Sequence, residues 1–299
     1  MMVSNERHLA EWWQADGKVA ACALCPHQCR IAPGRTGRCG VRRNVGGQLL
    51  ALTYGRPAAI QVDPIEKKPL YHFLPGSLTY SLGTVGCNLS CQFCQNYELS
   101  TETLEVTDAV SGPEISPAQI VAAARREQCA SVALTYNEPT VWAEYGRDLA
   151  VAAHGGDLKV VSVTNGFIQP GAAAALYEHV DAANVDLKAF DDDFYQRLCG
   201  GRLQPVLDTL KQLKRRGVWL EVTNLVIPGE NDAPTGLRAL CRWVASELGP
   251  NTPLHFSAFF PTHRLTKHPV TPHATLTLAA RVAAEAGLTQ VHLGNLHLV

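Results

Sequence analysis

From about residue 77 onward, short hydrophobic stretches alternate with longer stretches in which apolar residues recur at helical spacing. The hydrophobic stretches predict strands at 77–85, 131–136, 159–164, 182–187, 218–226, 253–259 and 289–293. The stretches between them predict helices. This alternation predicts an α/β fold with a parallel sheet and helices outside it. A complete barrel, a partial open barrel and a doubly wound open sheet all fit the pattern.

Local signals set the ends of several predicted helices. Ser116 followed by Pro117 is a cap residue with proline at the first helical position, and it opens the helix that precedes strand 131–136. A helix from about 141 to 153 ends at Gly155 and Gly156. Further helices are predicted at about 205–215, 236–247 and 273–286.

Residues 1–76 show a different pattern, with four cysteines, many turn residues and little helical period after Gln14. They predict a small cysteine-rich, metal-binding appendage packed against the barrel. The predicted domains are therefore 1–76 for the appendage and 77–299 for the partial (β/α) barrel.

Composition excludes several functional classes. Of the 299 residues, 46% are hydrophobic and 18% are charged, which is typical of a globular enzyme. A net charge of −1 gives no reason to expect nucleic acid or a membrane surface as a partner. The first residues lack the apolar core of a secretion signal, and ten cysteines without such a signal predict a reducing, cytoplasmic location.

The most informative motif is formed by Cys87, Cys91 and Cys94, which follow directly on the first predicted strand. Their CxxxCxxC spacing lets three sulfurs converge from one loop, and three thiolates suit an iron–sulfur cluster with one iron left open. An open iron can hold a small molecule that carries an amine and a carboxylate. A structural metal knuckle or three unrelated core cysteines are the alternatives. The loop follows a strand's carboxyl end, where α/β barrels place their chemistry.

This spacing resembles the signature of the radical S-adenosylmethionine (SAM) enzymes. The resemblance implies a partial (β/α)6-type barrel in which SAM chelates the open iron. An electron from the cluster then cleaves SAM to a 5′-deoxyadenosyl radical.

Polar residues at the ends of the next strands are candidates for binding SAM. Glu138, beside Asn137, could accept a hydrogen bond from the SAM amine, or could simply complement a helix dipole. Thr164 and Asn165 end the third strand, and Gly166 permits close backbone approach.

Three further candidates lie on later strands. Asp186 and Lys188 share one face of the fourth strand and could contact the SAM carboxylate, directly or through a cation, or could form an ion pair within the barrel mouth. His255 on the sixth strand could bind the ribose or the methionine carboxylate; a buried histidine satisfied by the backbone is the alternative.

Over nearly the whole chain the sequence resembles the radical SAM protein of the AmmeMemoRadiSam system, a branch of the pyruvate formate-lyase activating enzyme-like proteins. The segments that carry this resemblance are 22–29 with 37–39, 62–73, the cysteine loop through Asn96, 136–140, 186–188, 255–257 and 260–261. Proteins of this branch usually continue into a tail with another cysteine pair, which this sequence does not include.

The resemblance implies a [4Fe–4S] cluster on Cys87, Cys91 and Cys94, with SAM near Glu138, Thr164, Asp186, Lys188 and His255. It also implies a flavodoxin- or ferredoxin-like electron donor, and companion proteins of the AMMECR and Memo families as partners. The reaction is either activation of a glycyl-radical enzyme or modification of a small molecule or peptide.

A second cysteine group, Cys22, Cys25, Cys29 and Cys39, fits a structural zinc ion or an auxiliary cluster, with His27 as a substitute ligand. Residues 63–68 are unusually polar for a domain junction and either line the substrate side of the mouth or form a solvated linker. Cys199 is either a hydrogen-atom donor facing the cavity or an inert buried thiol.

A rival interpretation from another class is a non-catalytic zinc or iron–sulfur scaffold or an electron-transfer protein. It leaves the polar residues at the strand ends without a purpose.

Overall fold

The computed structural model describes residues 8–101 and 114–296. The first few residues, on which the absence of a secretion signal was argued, lie outside them. The strands are β1 Trp13–Asp16, β2 Val19–Cys22, β3 Arg30–Ile31, β4 Arg42–Val45, β5 Gln48–Ala51, β6 Ala59–Pro64, β7 Leu78–Gly83, β8 Ser131–Leu134, β9 Lys159–Thr164, β10 Ala182–Asp186, β11 Trp219–Val226, β12 Leu254–Ala258 and β13 Val291–Gly294. From β7 onward each strand falls within or beside a stretch predicted from the sequence.

Helices connect these strands and cover the sheet. They are α1 Tyr97–Ser100, α2 Pro117–Arg126, α3 Ala143–Gly155, α4 Pro170–Leu176, α5 Asp192–Phe194, α6 Leu203–Arg215, α7 Pro234–Trp243 and α8 His273–Glu285. The predicted start of α2 is confirmed: the Ser116 side chain accepts from the amide of Gln119, and the Gln119 side chain accepts from the Ser116 amide. Wider helical turns follow α5 at Tyr195–Cys199 and α7 at Val244–Leu248.

In the described part of the chain, the main sheet has eight strands in the order β13-β12-β11-β10-β9-β8-β7-β6. Strands β7 to β13 run parallel, and β6 pairs antiparallel with β7. The strands follow chain order, and among the residues that the structure describes no pairing joins β13 to β6. This is the α/β fold with an open, partial barrel, as predicted.

The N-terminal segment forms two small sheets, β1-β2-β3 and β4-β5. The predicted domain boundary at residue 76 remains a prediction, but β6 lies before it and belongs to the main sheet, because Ala59–Pro64 pairs along the whole of Leu78–Gly83. Residues 65–76 then lead from β6 into β7, with Ile65 and Leu70 buried against Ala133 and Val161.

One buried ion pair ties the N-terminal segment to the barrel. Arg42 on β4 donates to both carboxylate oxygens of Glu144 on α3, at 2.7 and 2.6 Å, and both side chains are 1% exposed. Among the described residues, none of the helices is long and apolar enough to cross a membrane.

Candidate active site

The cysteine loop begins where β7 ends, and neighbouring residues fix its entry. The side chain of Asn137 accepts from the amide of Thr84 at 3.0 Å and donates to the carbonyl of Gly86 at 2.9 Å. Gly86 has a φ of +87°, and a Cβ there would lie 2.6 Å from the carbonyl oxygen of Cys39. Only glycine satisfies both the left-handed backbone and this close approach.

The loop lines a cavity of about 490 Å³ at the carboxyl ends of the strands. The cavity is lined by Cys87, Cys91 and Cys94, and also by Asn137, Glu138, Thr164, Asn165, Asp186 and Lys188. The structure therefore brings together residues that are far apart in sequence and that the strand-end argument had selected. The volume of the cavity is that of an ordinary small-molecule site.

The three thiols are held in different environments. Burial raises the pKa of Cys87 and of Cys94. A hydrogen bond with Cys199 lowers the pKa of Cys91 against the opposing effect of burial, and Lys188 adds to the lowering. Cys199 is fully buried and does not line the cavity, but it lies beside Cys91, because the amides of Ser90 and Gln92 donate to the carbonyls of Cys199 and Leu198.

The donor chemistry of the loop fits a cluster. Three sulfur side chains that line one cavity match the three-thiolate set of a [4Fe–4S] cluster with an open iron. As the side chains stand, no group of three or more described His, Cys, Asp or Glu residues is arranged to hold a metal ion. The fit therefore rests on the identity of the donors and on their common cavity.

Glu138 is the centre of a buried hydrogen-bond network. Its Oε1 accepts from the amide and hydroxyl of Thr140 and from the hydroxyl of Thr164, and its Oε2 accepts from the amide of Asn165 at 2.8 Å. Burial raises the pKa of this carboxyl, while these donors oppose the rise. The network fixes the ends of β8 and β9 to each other, and Oε2 retains acceptor capacity.

Asp186 and Lys188 form an ion pair at the cavity wall. Lys188 Nζ lies 2.8 Å from Asp186 Oδ2 and 5.8 Å from the centre of the Phe93 ring. Although burial alone would lower it, Asp186 and the thiols of Cys91 and Cys199 raise the pKa of Lys188 well above its usual value. The lysine is therefore a fixed positive charge beside the cysteine loop.

His255 lies outside the cavity lining. Its Nε2 lies 2.7 Å from Glu221 Oε2, and its ring stacks on the ring of His292 with centroids 4.9 Å apart. Its position corresponds to the alternative of a satisfied buried histidine, although the partner is a carboxylate rather than the backbone. Ser257, two residues further along β12, lines the cavity instead.

Asp63, Lys67, Lys68 and Tyr136 line the same cavity, although their positions relative to the parallel strands did not select them. For the polar residues 63–68, a place on the substrate side of the mouth was one of the two expectations, the other being a solvated linker; Tyr136 had no predicted role. The structure places this segment at the cavity.

The second cysteine group lies against the cysteine loop. Cys22, Cys25, Cys29 and Cys39 line a cavity of about 10 Å³, together with His27. A ring nitrogen of His27 hydrogen-bonds the carbonyl of Asn88 at 2.8 Å. Burial raises the pKa of Cys25 to about 12, and the thiols of Cys39, Cys22 and Cys29 add to the rise.

Comparison with known proteins identifies the family of this chain. The radical SAM superfamily matches residues 81–236. An uncharacterised protein of Methanocaldococcus jannaschii is 42% identical over 280 residues, covering 94% of this chain and 82% of the relative.

Solved structures support the fold. TYW1 with a lysine–pyruvate adduct bound aligns with a TM-score of 0.52 at 18% identity, over 76% of this chain and 83% of that chain. Streptococcus suis SuiB bound to S-adenosylmethionine gives 0.51 at 15% identity, over 71% and 48%. HydG of Carboxydothermus hydrogenoformans gives 0.51 at 10% identity, over 72% and 58%. With a family match that spans more than half of its length, this chain belongs to the radical SAM superfamily.

Proposed function

We propose that the protein cleaves SAM reductively and uses the resulting 5′-deoxyadenosyl radical to abstract hydrogen from a substrate. The observation that carries the proposal is the common cavity of Cys87, Cys91 and Cys94 with the polar ends of β8, β9 and β10. When bound to these thiols, a [4Fe–4S] cluster supplies the electron for the cleavage and an open iron for the methionine end of SAM.

The residues of the cavity have separate tasks in this proposal. The free acceptor site on Glu138 Oε2 receives a hydrogen bond from the SAM ammonium. Lys188 attracts the SAM carboxylate, and Asp186 keeps the lysine in place. Thr164 and Asn165 are fixed by Glu138 and present polar groups to the nucleoside. Asn137 acts indirectly, because its side chain hydrogen-bonds the backbone where the cysteine loop begins.

The sequence resemblance supports a more specific proposal. We propose that the protein belongs to the AmmeMemoRadiSam branch and that its reaction is either activation of a glycyl-radical enzyme or modification of a small molecule or peptide. The resemblance also supports a flavodoxin- or ferredoxin-like electron donor, AMMECR and Memo proteins as partners, and a cytoplasmic location.

The four-cysteine site is proposed to hold a single zinc ion rather than an auxiliary cluster. All four cysteines line one small cavity of about 10 Å³, a volume that favours a single ion over a four-iron cube. Four thiolates with His27 as a reserve ligand are the usual donor set of structural zinc.

Release of 5′-deoxyadenosine tests the main proposal. Anaerobically reconstituted protein, reduced and supplied with SAM, should release it, and Cys94→Ser should not, because one cluster ligand is lost. Cys129→Ser is the matched control: Cys129 is buried outside the cavity lining and should leave the release unchanged. Equal release by Cys94→Ser would refute the cluster assignment.

A further inference from the structure

A second group of polar residues lines the cavity beside the proposed SAM contacts. Asp63 lies near the end of β6, Lys68 follows the short helical turn Ile65–Lys67, and Tyr136 follows β8. We call Asp63, Lys68 and Tyr136 the Asp63 group. None of its members takes part in the proposed cleavage of SAM.

The Asp63 group is tightly interconnected. Asp63 Oδ2 accepts from Lys68 Nζ at 2.7 Å and from Tyr136 Oη at 2.7 Å. Lys68 Nζ lies 4.6 Å from the centre of the Tyr136 ring, and the lysine side chain is only 4% exposed. An amine, a carboxylate and a phenol thus meet at one point of the cavity lining.

The backbone at Tyr136 is unusual. Its φ of +68° is a left-handed conformation that aromatic residues rarely adopt, and Asn96 Nδ2 donates to its carbonyl oxygen at 2.7 Å. Such a conformation is unfavourable and is found where the surrounding structure imposes it, often at functional sites. Here it brings the phenol to Asp63 and ties this residue to the cysteine loop through Asn96.

The charges around Lys68 favour its use as a nucleophile. Burial lowers the pKa of its amine, Asp63 opposes this, and neighbouring Lys67 lowers it further. Although burial alone would raise it, hydrogen bonds from Lys68 and Tyr136 lower the pKa of Asp63 to about 2, so the carboxylate stays ionised and holds the amine and the phenol in place. Desolvated lysines beside another cation are the type that forms imines with carbonyl compounds.

We propose that Lys68 forms a covalent imine with a small carbonyl compound that carries a carboxylate, such as a 2-oxo acid. Lys67 supplies the charge for the carboxylate. It lines the cavity, its side chain is 69% exposed, and among the described residues its ammonium is engaged by a 3.5 Å contact with Asp63 Oδ1 alone. The Asp63 group together with Lys67 carries one net positive charge, which a monoanionic substrate balances.

The step balances without a redox partner. The Lys68 ammonium releases one proton to solvent water, and its nitrogen attacks the carbonyl carbon to form a C–N bond. The carbonyl oxygen takes up two protons, one from the attacking nitrogen and one returned from water through the Tyr136 hydroxyl, and leaves as water. The product is a protonated imine, so an ammonium and a ketone give an iminium and one water.

The iminium would hold its substrate in the cavity where the radical is generated, and this last link alone rests on the proposed function. Imine formation itself requires neither cluster nor SAM. A failure of radical chemistry and a failure of imine formation are therefore distinguishable.

Reductive trapping tests the proposal on the full chain, with and without reconstituted cluster. Pyruvate and sodium cyanoborohydride are added, and peptide mass spectrometry locates the reduced adduct. We expect one saturable adduct per chain, on Lys68. An adduct absent from Lys68, or spread over exposed lysines such as Lys18 without saturation, overturns the proposal.

Two variants sharpen the result. Lys68→Arg keeps a cation beside Asp63 but cannot form an imine, so the adduct should disappear while the protein stays folded. Lys67→Gln should keep the adduct on Lys68 and raise the half-saturating pyruvate concentration several-fold. Unchanged trapping in Lys68→Arg, or a half-saturation unaffected in Lys67→Gln, would contradict the nucleophile and the carboxylate contact, respectively.

The pH profile supplies a further readout. The attacking species is the neutral amine, so the initial trapping rate should rise with pH through the pKa of Lys68, with Asp63, Tyr136 and Lys67 as the titratable neighbours. Because that pKa is lowered, the midpoint should lie below the ordinary lysine value of about 10.4. A midpoint at or above this value would contradict the role of burial.

Discussion

Glu138 illustrates how one buried side chain serves both structure and binding. Four donors from Thr140, Thr164 and Asn165 satisfy most of its acceptor capacity, and these bonds offset the cost of burying a carboxylate. The remaining capacity is at Oε2, which within the described part of the chain accepts from the amide of Asn165 alone. A positively charged ligand in the cavity would gain a charge-assisted hydrogen bond there.

Replacement of Glu138 by glutamine should therefore weaken SAM binding more than folding. Loss of a hydrogen bond to a charged group costs about 1.5–3 kcal/mol, which corresponds to roughly a tenfold to hundredfold higher dissociation constant. Equilibrium dialysis of the reconstituted protein with SAM measures this dissociation constant. Glu127→Gln, an exposed residue that ends α2, is the control, and equal affinities in the two variants would contradict the assigned role.

The sequence could predict many of the residues that line the cavity, but not which side chain on a given strand reaches it. Strand alternation puts His255 and Ser257 on the same face of β12, and it cannot tell which of the two reaches the cavity. Ser257 does, whereas His255 lies beside Glu221. For the segment 63–68, which includes Lys68, the sequence left the cavity mouth and a solvated linker both open, because only the long-range pairing of β6 with β7 brings this segment to the cavity.

At the scale of elements, the cysteine loop depends on its contact with the N-terminal segment. Gly86 faces the carbonyl of Cys39 and has a positive φ, so two separate constraints act on it. Gly217 shares only one of them: its φ is +76°, and nothing lies within 4 Å of an added Cβ. A comparison of substitutions at Gly86 and Gly217 therefore separates the effect of backbone strain from that of close packing.

Gly217→Ala should cost about 1 kcal/mol of stability from the left-handed backbone alone. Gly86→Ala should cost more, and should also lower the iron bound after reconstitution, because the backbone must move at the cysteine loop. Denaturant unfolding and iron analysis measure the two effects. Equal iron content in the two variants would show that the contact with Cys39 does not position the loop.

The four-cysteine site makes a separate prediction about metal content. Purified protein should hold about one zinc per chain, and Cys25→Ser should lose most of it while Cys241→Ser, in helix α7, keeps it. Elemental analysis decides the point. Iron and sulfide in excess of one four-iron cluster, with no zinc, would show that the site holds an auxiliary cluster instead.

Strands β7 to β13 and helices α2, α3, α6, α7 and α8 were predictable because each has its own hydrophobic period or end signals, whereas the short helices α1, α4 and α5 were not predicted individually. Strand β6 was missed for a physical reason. Its burial does not alternate cleanly, it ends at Pro64, and it lies at the edge of the sheet, where local signals are weak. Its place in the sheet comes from pairing with β7, which local sequence does not encode.

For the molecule as a whole, the N-terminal segment and the barrel act together. The Arg42–Glu144 pair crosses between them, and Arg42 Nη1 also donates to the carbonyl of Glu11 at 3.1 Å. Glu144 in turn accepts from the amide of Glu11 at 2.7 Å. Removing one partner would leave a buried charge without compensation.

Arg42→Met should accordingly destabilise the protein by about 3–5 kcal/mol, measured by denaturant unfolding. Arg30→Met is the matched control, since the Arg30–Asp16 pair is exposed and such pairs contribute less than about 1 kcal/mol. Similar losses in the two variants would mean that the segments are not coupled through this pair.

The proposed function requires SAM to bind the open iron of a cluster held by Cys87, Cys91 and Cys94. Pulsed EPR of the reduced, reconstituted protein with SAM labelled with ¹⁵N at its amine and ¹⁷O at its carboxylate probes this ligation. Magnetic coupling of both labels to the cluster is expected, because the amine and the carboxylate would both be iron ligands. A well-formed cluster whose spectrum shows no coupling to either label would refute the proposed binding mode.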